Sequence, residues 1–174
     1  MGLPNLLTAA RILLIPLFVG LLLYERHAAA ALVFCGAGLT DLLDGMLARR
    51  LGSLTRLGAF LDPLADKLLS VSSFVTLAVK GPIPVWFVVV VISRDVIISL
   101  GTLVLTLSDG ALDIVPSSLG KVTTFLQFAT ILTTVLLLMD ARLLFLWRTV
   151  LFAAALMTVL SGLQYLYRGL AARK

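Results

Sequence analysis

Long apolar runs, each broken by a short polar stretch, set the rhythm of this chain. A bilayer-spanning helix needs roughly 20 mostly apolar residues. On that criterion the pattern predicts six helices, over 5–24, 28–48, 58–79, 83–107, 117–138 and 144–167. The breaks hold polar or turn-forming residues: Glu25-Arg26-His27, Arg49 to Leu57, Lys80-Gly81-Pro82, Ser108-Asp109-Gly110 and Asp140-Ala141-Arg142. The first run lacks a small-residue cleavage site and further runs follow it, so it reads as a retained helix rather than a removed leader. No linker, repeat or low-complexity tract divides the chain. The expectation is a single all-α integral-membrane domain over 1–174 with six transmembrane helices.

Composition supports this. Of 174 residues, 60% are hydrophobic, and the mean hydropathy is +1.11. A soluble domain of this size has too little interior to hide so much apolar surface. The distribution of Lys and Arg then orients the helices. Arg49, Arg50, Arg56, Arg168, Arg173 and Lys174 collect on the side of both termini, against Arg26, Lys80, Arg142 and Arg148 on the other. The bias puts both termini in the cytoplasm. The formal charge of +5 fits basic cytoplasmic ends and does not call for nucleic acid. Cys35 is the one cysteine and reads as a packing residue. Trp86, Trp147, Tyr165 and Tyr167 fall near span ends and suit the interfacial belt.

Charges inside apolar spans are costly, so each needs a reason. Most lie between Thr40 and Lys67. On a helix Asp41 and Asp44 share a face, which Gly45 and Ala48 continue; Gly58, Asp62 and Asp66 recur at steps of four on the next helix. A short connection makes the two helices antiparallel neighbours, with both acidic faces in the cytoplasmic half of the membrane. Four facing carboxylates cannot all stay ionised in a low dielectric without cations. Oxygen-only ligation suits Mg²⁺, Mn²⁺ or Ca²⁺ rather than Zn²⁺. The small residues leave room for a ligand, and Arg49 can clamp a phosphate. Metal-assisted phosphoryl-type transfer needs such a set.

The stretch matches D-x2-D-G-x2-A-R-x8-G-x3-D-x3-D at all eight fixed positions, as Asp41, Asp44, Gly45, Ala48, Arg49, Gly58, Asp62 and Asp66. It resembles the signature of the CDP-alcohol phosphotransferases. The resemblance takes in nearly the whole chain, including the opening P-N-L-L-T-A-A-R, and is looser outside the signature. It implies that Asp41, Asp44, Asp62 and Asp66 bind two divalent cations, Mg²⁺ or Mn²⁺, with Ca²⁺ a substitute in a crystal. The metals hold the pyrophosphate of CDP-diacylglycerol, and Gly45, Ala48, Arg49 and Gly58 hold the nucleotide. Asp66 is the implied general base: it takes the acceptor proton, the hydroxyl attacks phosphorus, and CMP leaves. A homodimer in the bacterial inner membrane, with its site facing the cytoplasm, is implied as well.

Outside the signature, Arg94 lies mid-span beside Asp95, and Lys121 near the cytoplasmic start of the fifth helix. Adjacent helical residues do not face each other, so Arg94 reads as a ligand for the acceptor phosphate, or as a partner to one of the site's acidic groups, rather than as a partner of Asp95. Lys121 reads equally as an acceptor ligand or as a side chain snorkelling to headgroups. Arg11 reads as interfacial or structural. The strings G-L-T-D-L-L-D-G, F-L-D-P-L-A-D-K-L-L and I-S-R-D-V are more similar to the branch that uses phosphatidylglycerol as acceptor and forms cardiolipin. The branch that uses glycerol 3-phosphate is the alternative. Two readings from other classes compete: a small cation channel or transporter, and an inactive scaffold. A channel would spread its carboxylates through the membrane depth, whereas these cluster near one face.

Overall fold

The computed structural model describes the backbone over residues 3–51, 56–109 and 118–171, and side chains over 11–40, 64–101 and 118–167. These residues are helical almost throughout, with no strand among them. Six α-helices follow in order: α1 (Leu3–Leu23), α2 (His27–Leu51), α3 (Arg56–Val79), α4 (Val85–Asp109), α5 (Ser118–Leu137) and α6 (Leu144–Ala171). Each overlaps one expected span. The observed helices run a few residues further at several ends, because apolar length reports the part in hydrocarbon while the helix continues to its cap.

The stops have local causes. At the end of α1, Glu25 takes a left-handed φ of 59°. Its N–H donates to the Leu22 carbonyl and the Arg26 N–H to the Leu21 carbonyl, closing a Schellman motif around the last orphan carbonyls. At the end of α3, Gly81 takes φ 98°, a value glycine adopts at no steric cost, and donates to Ala78. Pro82 has no N–H for the second closing bond, so Ile83 donates to Leu77 instead. Between α5 and α6, the Asp140 carboxylate accepts from the Arg142 N–H at 2.9 Å and caps a single 3-10 turn, Ala141–Leu143.

Side-chain contacts give the helix directions. Arg11 meets Asp66, and the carbonyl of Leu23 meets Lys80, so α1 and α3 run parallel. Arg94 meets Ser161 and Trp86 stacks near Phe152, so α4 and α6 also run parallel. Gln127 meets Thr158 while Thr134 meets Trp147, so α5 and α6 are antiparallel. α1 packs on α2 and α3, α2 also on α5, and α3 on α4 and α5. Phe18, Phe34, Phe74 and Phe87 centre the apolar core, with Leu22, Leu77, Ile83 and Val91 around them. Phe34 stacks on Phe128 at 4.3 Å. A Cβ at Gly38 would run into the same Phe128 ring, so glycine sets how closely α2 and α5 approach.

Polarity is inverted relative to a water-soluble bundle. Leu13, Leu32, Phe125, Phe145 and Phe152 point outward, while Ser73, Thr123, Gln127, Thr130, Thr134, Thr158 and Ser161 are buried. Two segments, Ser118–Leu137 and Ala141–Tyr167, are long and apolar enough among the described residues to cross a membrane. Hydrocarbon tolerates an apolar exterior and makes interior hydroxyls useful as interhelical donors. Trp147 departs from the belt expected of it. It is buried, and its indole N–H donates to Thr134 Oγ1 at 2.9 Å. Its position one turn into α6 turns it towards α5, where a hydroxyl satisfies the indole. Trp86 and Tyr167 stay exposed, as a belt requires.

Candidate active site

Asp41, Asp44, Gly45, Ala48 and Arg49 lie in the C-terminal part of α2, and Gly58, Asp62 and Asp66 in the N-terminal half of α3. Both segments are helical, so the steps of three and four do place each set on one helical face. The side chains of Asp41, Asp44, Gly45, Ala48, Arg49, Gly58 and Asp62 lie outside the described residues. Asp66 lies within them.

The Asp66 carboxylate is half-exposed and accepts a hydrogen bond from Arg11 Nη1 at 3.1 Å. Arg11 itself is 1% exposed, sealed between α1 and α3 beside fully buried Ala65. A guanidinium cannot shed its charge, so its burial in an apolar bundle requires an anion. Of the interfacial and structural readings of Arg11, burial removes the first: it touches Asp66, the one signature carboxylate whose surroundings are described. The available signal was a cation eight residues inside an apolar span, where charge is expensive.

Lys67, next in sequence, turns the other way. Its Nζ donates to Ser99 Oγ and, at 3.4 Å, to the Asp95 carbonyl on α4. Arg94 then continues the polar path. Nη1 donates to Asp95 Oδ1 at 2.8 Å and Nη2 to Ser161 Oγ on α6 at 2.9 Å. The pairing with Asp95 runs against the expectation that sequence neighbours turn apart. Arginine is long enough to fold back over its own helix, and both side chains are nearly buried, at 12% and 13% exposure, where little else could neutralise them. Arg94 Nε and Gln164 Oε1 are buried without a protein partner among the described residues. Arg94 thus joins α4 to α6 and still carries an uncommitted N–H.

Lys121 stands exposed early in α5, beside exposed Val122 and Phe125. No described contact brings it to Arg94. The structure therefore shows two polar clusters, Arg11 with Asp66 between α1 and α3, and Lys67, Asp95, Arg94 and Ser161 across α3, α4 and α6, and leaves Lys121 exposed on α5.

A helical membrane protein whose signature carboxylates sit on two helices, one of them held by a buried arginine, has the character of a lipid-handling enzyme. Residues 1–161 match the CDP-alcohol phosphatidyltransferase family, and the chain belongs to it. It is 38% identical over 97% of its length to a probable phosphatidylglycerophosphate synthase of Mycobacterium tuberculosis, covering 82% of that protein. It is 37% identical over 75% of its length to a CDP-diacylglycerol–glycerol-3-phosphate 3-phosphatidyltransferase of Bacillus subtilis, covering 74%. A putative cardiolipin synthase of Mycobacterium bovis is 40% identical over 74% of the chain, which covers 63% of that relative.

Proposed function

We propose that this protein moves a phosphatidyl group from CDP-diacylglycerol to a glycerol hydroxyl and releases CMP, with phosphatidylglycerol as acceptor and cardiolipin as product. The observation that carries the reading is the complete eight-position signature on helical α2 and α3, within a chain that belongs to this family.

Asp41, Asp44, Asp62 and Asp66 are the residues that would hold two divalent cations, Mg²⁺ or Mn²⁺. Their donor set fits: carboxylate oxygens only, at helical spacing, with the Asp66 carboxylate half-exposed and so accessible. When bound, the cations neutralise the donor pyrophosphate. Gly45, Ala48 and Gly58 leave space for the nucleotide and Arg49 meets its phosphate. Asp66 accepts the acceptor-hydroxyl proton. The hydroxyl oxygen bonds to the phosphorus that bears diacylglycerol, and the bond from that phosphorus to the CMP oxygen breaks. Arg94 is the residue assigned to the acceptor phosphate, and Lys121 supplies positive charge at the membrane surface. The Lys and Arg bias supports six crossings with both termini and the site on the cytoplasmic side. The bacterial relatives support the inner membrane as location, and a homodimer is part of the same reading.

Glycerol 3-phosphate is the second acceptor reading. It is favoured by the greater share of the chain that matches the probable phosphatidylglycerophosphate synthase, 97% against 74% for the putative cardiolipin synthase. The test supplies the purified protein with labelled CDP-diacylglycerol, Mg²⁺ or Mn²⁺, and either acceptor. Cardiolipin formed with equimolar CMP is the expected outcome. Phosphatidylglycerophosphate alone transfers the assignment to the second reading, and no CMP with any glycerol or inositol acceptor removes the enzyme reading in favour of a scaffold or channel.

A further inference from the structure

We propose that Arg11 is a positioning residue for Asp66, holding one carboxylate oxygen so that the group meets the acceptor hydroxyl in a fixed orientation; this rests on Asp66 being the base.

Two Arg–Asp pairs in the same bundle make the case by contrast. In Arg94–Asp95 both partners are almost fully buried, and the arginine also reaches Ser161 on α6. That is the form of an internal clasp between helices. In Arg11–Asp66 the burial is one-sided: the guanidinium is 1% exposed and the carboxylate 49% exposed. A buried cation behind a half-exposed carboxylate holds that carboxylate from its buried side. The base of the arrangement is rigid. Arg11 stands on the α1 face that also buries Phe18 and Leu22, and Ala65, the residue before Asp66, is fully buried. Lys67, the nearest cation in sequence, reaches Ser99 and the Asp95 carbonyl on α4, while Arg11 reaches Asp66 from α1. An aspartate side chain rotates about two bonds, and a misplacement of about 1 Å at a reacting group costs about 10²-fold in rate. A fixed, permanently charged donor removes that freedom.

The test uses the full chain in lipid nanodiscs, with Arg11→Gln, Arg11→Lys and Asp66→Asn compared for kcat, for KM of CDP-diacylglycerol and for binding of that lipid. Arg11→Gln is expected to lower kcat about 10–100-fold while KM and lipid binding move less than about 3-fold. Arg11→Lys, which keeps the charge on a shorter, single-pointed donor, regains part of the loss but stays about 5-fold or more below the parent protein. Asp66→Asn binds the lipid without turnover. Parent-like kcat in Arg11→Gln, or equal losses in kcat and in lipid binding, overturns the proposal while an inactive Asp66→Asn leaves the base assignment standing. Full turnover in Asp66→Asn removes the base assignment itself. Where Arg11→Gln does not fold, Arg11→Lys decides: unchanged kcat rejects the positioning role, and lowered kcat at unchanged KM upholds it.

Discussion

The bundle holds its helices together by two unlike polar seams. One is charged: Arg11 meets Asp66 between α1 and α3, and Lys67, Asp95, Arg94 and Ser161 join α3, α4 and α6. The other is neutral and joins α5 to α6. There Thr123 donates to the Met157 carbonyl at 3.0 Å, Gln127 to Thr158 at 3.2 Å, and Trp147 to Thr134 at 2.9 Å. The neutral seam repeats with helical period along one face of α5: Thr123, Gln127, Thr130 and Thr134 are all buried. Most of its hydroxyls also donate back to a carbonyl of their own helix, so the hydroxyls themselves keep a partner when one cross-helix bond is lost. The charged seam has no such reserve. In the Arg94–Asp95 pair each partner neutralises the other, and deleting one strands a charge in a poorly polarisable interior. A membrane helix pair can therefore be stapled cheaply with threonines. A row of ions is retained where something beyond stability needs charge, and here it reaches a signature aspartate.

That contrast can be broken at several points. The largest effect is expected from Arg94→Ala, which leaves Asp95 buried and uncompensated. It should lower stability in detergent by about 3–5 kcal/mol, and adding Asp95→Ala should recover much of this. Chemical or thermal denaturation of the single and double variants measures it, and a single variant as stable as the parent would dissolve the distinction between the seams. A middle effect is expected outside both seams, at Gly38→Ala. The new methyl meets a Phe128 ring that is itself stacked on Phe34, so the ring has little room to yield. Overpacking of this kind costs about 1–3 kcal/mol, read as a lowered Tm at unchanged KM. The smallest effect is expected in the neutral seam. Thr134→Val removes the acceptor of the Trp147 indole and should cost about 0.6 kcal/mol, the mean for interhelical hydrogen bonds in membranes. A loss as large as that of Arg94→Ala would show that the neutral seam is not redundant.

The two seams also differ in how far local sequence reveals them. Six helices were legible because apolar length and turn residues are local properties; α3 ends at Val79, two residues before the Gly81 that punctuates the chain. The signature was legible because eight residues at fixed spacing need no partner to be recognised. The threonine stripe of α5 stands in the sequence, but a hydroxyl in an apolar helix does not announce whether it faces lipid or a neighbour. Arg94 was expected to turn away from Asp95, and burial overrode that local rule. Trp147 was placed at an interface by its distance from a span end, and the tertiary contact with Thr134 moved it inside.

The sequence by itself determined that this is a helical membrane protein with an acidic signature on two successive helices, because hydropathy and helical periodicity are written residue by residue. Only the tertiary structure decided that Arg11, 55 positions away, meets Asp66. Apolar length says that α1 and α3 are helices but not that they lie parallel and adjacent, and it is that packing that brings a buried guanidinium up behind the carboxylate.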